Sequence, residues 1–166
     1  MEWMLMPYRR YAEFSGRSRR KEFWMFILLM VIVEIVLLCL MFAGGYSIFA
    51  RLSAGTGPDG APALGSAGFG PLFWIGTILL VACGLASLIP YIAVTIRRLH
   101  DRNMSGWFLL GFMVVGIILS RLGTIGSVVM LALEIAWIVV LALPGTPGPN
   151  KYGPDPLGQV DAEVFA

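Results

Sequence analysis

At 166 residues, with 58% hydrophobic residues against 13% charged ones, the chain carries a larger apolar share than a soluble domain holds, which excludes an ordinary water-facing fold. The net charge of +2 is the small remainder of 12 Lys and Arg against 10 Asp and Glu, so placement of the cations says more than their sum. Its two cysteines, Cys39 and Cys83, fall inside apolar runs and indicate neither a disulfide framework nor a metal motif.

In chain order, Trp3, Met4 and Leu5 precede Pro7, which opens a segment whose Tyr8, Tyr11, Ala12 and Ser15 share one helical face. This spacing predicts an interfacial helix. The basic stretch Ser15–Trp24 then delivers a cluster of cations ahead of the first apolar run, with Ser18 as the expected N-cap and Phe23 and Trp24 at headgroup depth. Residues 1–22 thus read as a basic cytoplasmic and interfacial segment.

Runs at Phe23–Phe42, Leu72–Ile96 and Ile125–Leu143 are near or above the roughly 20 residues a helix needs to cross a hydrocarbon core. The first is too long for a signal peptide and lacks a cleavage pattern, so it reads as a retained helix. Trp107–Leu119 is shorter. Because only Ser120–Thr124 joins it to the last run, it is expected to be a fourth span in a tight helical hairpin, with a re-entrant segment as the alternative. Ala43–Pro71, rich in Gly, Ser, Ala and Pro, is expected to be a flexible external loop. Gly84, Ser87 and Pro90 suit a kinked second span that packs closely on its neighbours.

Orientation follows from the cations, which resist translocation. With four spans, one side holds Arg9, Arg10, Arg17, Arg19, Arg20, Lys21, Arg97, Arg98, Arg102 and Lys151, and the other only Arg51 and Arg121. Both termini and the charge island are therefore expected to face the cytoplasm. After the last span, prolines and glycines recur so often across 144–157 that no helix persists. This tail, 144–166, is either disordered or a strap that lies back across the helix ends on Asn150, Tyr152 and Asp155.

Three polar segments, FSGRSRRKEFW (Phe14–Trp24), RRLHDRNMSGW (Arg97–Trp107) and GTPGPNKYGPDP (Gly145–Pro156), resemble in order and position the motifs of a bacterial inner-membrane family, domain of unknown function 805. The resemblance covers nearly the whole chain and implies a small multi-span protein without an established activity. The Gly/Ala-rich loop looks like an elaboration outside that pattern.

Chemistry concentrates in the island between the second and third spans. Helical spacing puts Arg97 with Asp101 on one face and Arg98 with Arg102 on another. The second face, joined by Arg17, Arg19 and Arg20, has the forked donors that hold a phosphate, so an anionic lipid headgroup or an acidic partner is the expected ligand. His100 beside Asp101 invites a catalytic reading, but adjacent helical residues diverge and no nucleophile is placed. A single histidine makes a metal centre improbable, no cofactor is indicated, and cations that track membrane boundaries argue against nucleic acid.

Glu34 and Glu134 stand in the middle of apolar spans, where carboxylates normally face a bundle interior. Both fall near mid-depth. If they meet, the pair shares a proton or binds a cation, which would make the alternative a small transporter or channel, working as a homo-oligomer because four spans enclose little volume. The overall reading is an all-α integral membrane bundle: a single domain of four transmembrane helices in two hairpins, with an N-terminal interfacial helix.

Overall fold

The computed structural model describes residues 2–53 and 70–158, without the side chains of 46–53. Five helices follow in order: α1 (Glu2–Arg9), α2 (Arg20–Ser53), α3 (Pro71–Asp101), α4 (Trp107–Leu119) and α5 (Gly123–Ala142). Among the described residues the one β-type pairing outside them is the isolated bridge Asn150–Gly153.

The helices follow the apolar runs because a helix satisfies every backbone N–H and C=O within itself, a condition lipid imposes. Three are long and apolar enough to cross a membrane: α2 over Arg20–Gly45, α3 and α5. At 13 residues, α4 is about 20 Å long, short of a core of about 30 Å. With 31 residues, α3 is instead longer than a crossing requires, so its last turn, Arg97–Asp101, projects past Ile96, where the apolar run ends.

Three local expectations change. The first helix is Glu2–Arg9, with a fully buried Pro7 inside it instead of opening it; Tyr8 packs edge-on against Phe26 at 5.4 Å, and that contact holds the segment where the helical face of Tyr8 and Ser15 does not form. Ser18 does not cap α2: it is buried and its backbone N–H donates to the Arg97 carbonyl at 3.1 Å. The stretch expected as a loop from Ala43 stays helical to Ser53, since no proline interrupts the backbone ladder before Pro58. The remainder of that loop, 54–69, and the end of the tail, 159–166, lie outside the described residues.

The chain divides into two compact units, one of Met1–Ile27 with Ile89–Ala166 and one of Leu28–Leu88. In the second, the N–H of Gly70 donates to the Gly44 carbonyl, and a Cβ on Gly44 would overlap the backbone of Phe73. Here glycine lets two helix backbones touch. In the first, Phe112 of α4 stacks on Trp137 of α5 at 4.6 Å, and three residues separate these helices.

Polarity is distributed inside out. Ile35, Val36, Ile78, Leu85, Ile117 and Ile125 are exposed, whereas Arg17, Ser18, Glu22, Thr95, Arg97, Arg98 and Asp101 are buried. In water such an arrangement would forfeit the hydrophobic driving force; in hydrocarbon it leaves apolar side chains facing the solvent they match.

Candidate functional site

The site grows from the end of α3. Asn103 adopts a left-handed φ of 58°; its N–H reaches the His100 carbonyl and that of Met104 reaches Leu99, each at 2.9 Å. This is a Schellman stop, with asparagine in the place glycine usually takes. It halts the helix just after Asp101, leaving that carboxylate and the last-turn arginines beside the segment that precedes α2.

Asp101 is the hub. Its Oδ1 accepts from Arg17 Nε at 2.9 Å, and its Oδ2 accepts from Arg98 Nη1. Its backbone carbonyl accepts the Thr146 N–H at 2.8 Å. Both arginines spend their remaining donors on the last turn of α5 and the chain that follows it. Arg17 donates Nη1 to the Gly148 carbonyl and Nη2 to that of Thr146, each at 2.6 Å, and Arg98 donates Nε to Leu141 at 2.9 Å and Nη2 to Leu143. Three more arginines do the same from its edge: Arg102 to Pro144 at 2.9 Å, Arg20 to Ala142 at 3.2 Å, and Arg19 to Pro156. A proline-rich segment cannot satisfy its carbonyls by helix formation, so charged donors take them instead.

Residues 143–158 form a strap tied down in this way. Asn150 donates from Nδ2 to the His100 carbonyl at 2.9 Å, and Asp155 accepts the N–H of Gly148 and of Leu157, each at 2.9 Å. The Leu157 N–H, followed by that of Gly148 and by Arg17 and Arg19, holds the Asp155 carboxyl below its ordinary value against partial desolvation. Gly145 sits so close to Asp101 that a Cβ there would overlap the carboxylate.

Helical spacing assigned Arg97 to Asp101 and left Arg98 and Arg102 facing outward. The pairing differs: Asp101 takes Arg98, three residues back, whereas Arg97 ion-pairs with Glu22 at 3.1 Å. Spacings of three and four bring side chains equally near on a helix, and the neighbouring segments decide between them. Glu22, Gly145, Thr146 and Gly148 were not singled out from sequence; the acid in RRKEFW, at a helix start, was the available signal for Glu22. Glu34 and Glu134 are each exposed on their own helices and belong to different units.

Between the basic segment and the strap lies a cavity of about 460 Å³ lined by Arg17, Arg19, Arg20 and Lys21 and by Asp101 and Asp155 among others. Among the described residues no group of three His, Cys, Asp or Glu side chains is placed to hold a metal.

Apolar spans with exposed faces, together with a buried ionic junction at the end of α3, define a helical integral membrane protein. The chain belongs to the family described as protein of unknown function DUF805, whose model matches residues 11–154. That match takes in Arg17, Asp101 and the strap as far as Pro154. Inner membrane protein YhaH of Escherichia coli strain K12 is 31% identical over 159 residues, which cover 94% of this chain and 97% of that protein. Inner membrane protein YhaI of the same strain is 31% identical over 160 residues, 94% of this chain and 96% of its own. No solved structure matches the chain. The chain is accordingly an integral inner-membrane protein.

Proposed function

We propose that this protein crosses the inner membrane four times, as two hairpins with both termini in the cytoplasm, and that the cavity under its strap binds an anionic lipid headgroup. The topology is supported by the ten-to-two distribution of Lys and Arg, and by the three-residue connection that returns α4 into α5. A short α4 crosses by thinning the bilayer around it.

The cavity carries the functional reading. Four cations and two acids line a space of about 460 Å³, within the usual size of small-molecule sites. Arg17 is saturated by the strap, but Arg20 gives only one nitrogen, to Ala142, and the Lys21 ammonium lies 5.6 Å from the Trp3 ring. Their remaining N–H groups are available to a phosphate. The strap thus has a role in closing the site, and Asp101 one in holding the strap.

Native mass spectrometry of the detergent-solubilised protein with phosphatidylglycerol tests this. Each cation near a membrane surface contributes about 1 kcal/mol, so replacing Arg20 and Lys21 by glutamine together should weaken retention about thirtyfold. Undiminished retention in that double variant removes the headgroup reading. A carboxy-terminal cysteine labelled by an impermeant reagent from the periplasm of intact cells removes the topology.

A further inference from the structure

A second cavity, of about 450 Å³, shares Arg17, Arg19 and Pro156 with the first and adds Trp3, Arg10 and Glu22. Its chemistry differs. Glu22 is 2% exposed, and its Oε1 accepts no hydrogen bond among the described residues; the ion pair to Arg97 Nη2 lies at 3.1 Å but outside hydrogen-bonding geometry. A carboxylate is an acceptor only, so a buried oxygen that is ion-paired to Arg97 yet accepts no hydrogen bond still calls for a donor.

The same wall also offers donors. Arg10 binds Glu13 through Nε and Nη2 at 2.7 and 2.8 Å, and its Nη1 stays 3.9 Å from Glu22. Arg19 gives Nη2 to Pro156, leaving Nε and Nη1. One cavity therefore presents a hungry acceptor beside unspent guanidinium nitrogens. A dianion would set its second charge against Glu22, and a simple cation would meet the arginines.

We infer that this cavity takes a phosphodiester headgroup ending in a primary ammonium, the phosphoethanolamine group, with N–H donated to Glu22 and phosphate oxygens on Arg10 and Arg19. A trimethylated ammonium has no N–H to give and does not satisfy Glu22. The amphipathic setting supports a lipid as the source: Leu5 of α1 is exposed beside the cavity-lining Trp3 and Met6, as in a helix lying at headgroup level. This site does not rest on the anion reading of the first cavity, since neither Arg20 nor Lys21 lines it.

The test needs only the unaltered protein. In native mass spectrometry with equimolar phosphatidylethanolamine and phosphatidylcholine of identical acyl chains, the ethanolamine lipid should be retained at least about tenfold more; equal retention of the two overturns the proposal. Glu22→Gln should bring the preference to within about twofold while phosphatidylglycerol binding, which depends on Arg20 and Lys21, stays intact. A preference that survives Glu22→Gln also overturns it. Soluble glycerophosphoethanolamine, a phosphodiester like the lipid, that displaces the bound lipid supports recognition through the headgroup alone, and binding of the soluble compound without the lipid would keep the chemistry and assign a free metabolite as its source.

Discussion

The imidazole of His100 lies flat on the phenol of Tyr152, with ring centroids 3.8 Å apart and planes 6° from parallel. Fifty-two residues separate the two in sequence, so the stack reports directly on whether the strap is docked. It also makes docking dependent on pH. Burial holds the His100 imidazole below its ordinary value, opposed by the Gly16 carbonyl at 3.2 Å from Nδ1 and reinforced by Lys151. The docked state therefore binds fewer protons than the released one. Its contribution is fully present above about pH 6.5, the value of a free histidine, and is lost as pH falls from there through the lower docked value. Amide hydrogen exchange over residues 146–153, corrected for intrinsic rates, should accelerate between pH 7.5 and 5.5. His100→Gln should flatten that difference; an unchanged pH response in the variant assigns it elsewhere.

Asp101 is the shared counter-ion of two arginines buried to 2% and 0% of side-chain exposure. Removing one member of a buried ionic cluster leaves uncompensated charge and costs about 3–5 kcal/mol. Asp101→Asn should therefore lower the thermal unfolding midpoint in detergent more than any other single polar change in the strap region. The exposed pair Arg10–Glu13 offers the contrast: with exposures of 31% and 46%, Glu13→Gln should cost at most about 1 kcal/mol. Comparable losses in the two variants would place the strap's anchor somewhere other than Asp101.

Where the apolar runs lie was legible in the sequence because lipid demands length and continuity together: α4 begins and ends where composition put it, and α5 within two residues. Partners were not. Arg17 and Asp101 are 84 residues apart, and nothing local in either segment selects the other. The template of helical spacing sent Arg97 to Asp101 and left Arg98 facing outward, because it weighs neighbours along one helix and ignores the chain that packs across it. The strap is the same case: its prolines exclude a helix, but only four arginines in two distant segments make a docked geometry more favourable than a solvated tail.

Gly145 is where the strap passes closest to this cluster, and a Cβ there would enter the Asp101 carboxylate. Gly145→Ala should cost about 1–3 kcal/mol, as overpacking of a tight site does, and should loosen the same amides as Asp101→Asn. The two changes act through one contact, so the double variant should lose less than the sum of the singles. Gly111→Ala is the control, since nothing lies within 4 Å of its added carbon; within α4 it should leave stability unchanged or raise it by up to about 1 kcal/mol, alanine being the better helix former. Additive losses for Gly145→Ala and Asp101→Asn would show that the strap is pinned independently of the carboxylate.

Glu34 and Glu134 are the remaining acids within apolar helices, and in contrast to Asp101 neither has a hydrogen-bond or ion-pair partner among the described residues. Both are exposed on the surface of their helices, and a carboxylate facing hydrocarbon is unfavourable by a few kcal/mol unless something polar meets it. Within a single copy of the chain, glutamine at either position should then raise stability or leave it unchanged, since the amide carries no charge to desolvate. Thermal unfolding of Glu34→Gln and Glu134→Gln in detergent, at dilutions that hold the protein monomeric, checks this against the loss expected for Asp101→Asn. If a second copy covers these faces in the membrane, the same variants will instead weaken association, read as a shift toward monomer in native mass spectrometry from lipid nanodiscs. A destabilisation of the isolated monomer as large as that of Asp101→Asn would mean that the carboxylates serve its own interior, and the exposed placement of both side chains would be overturned.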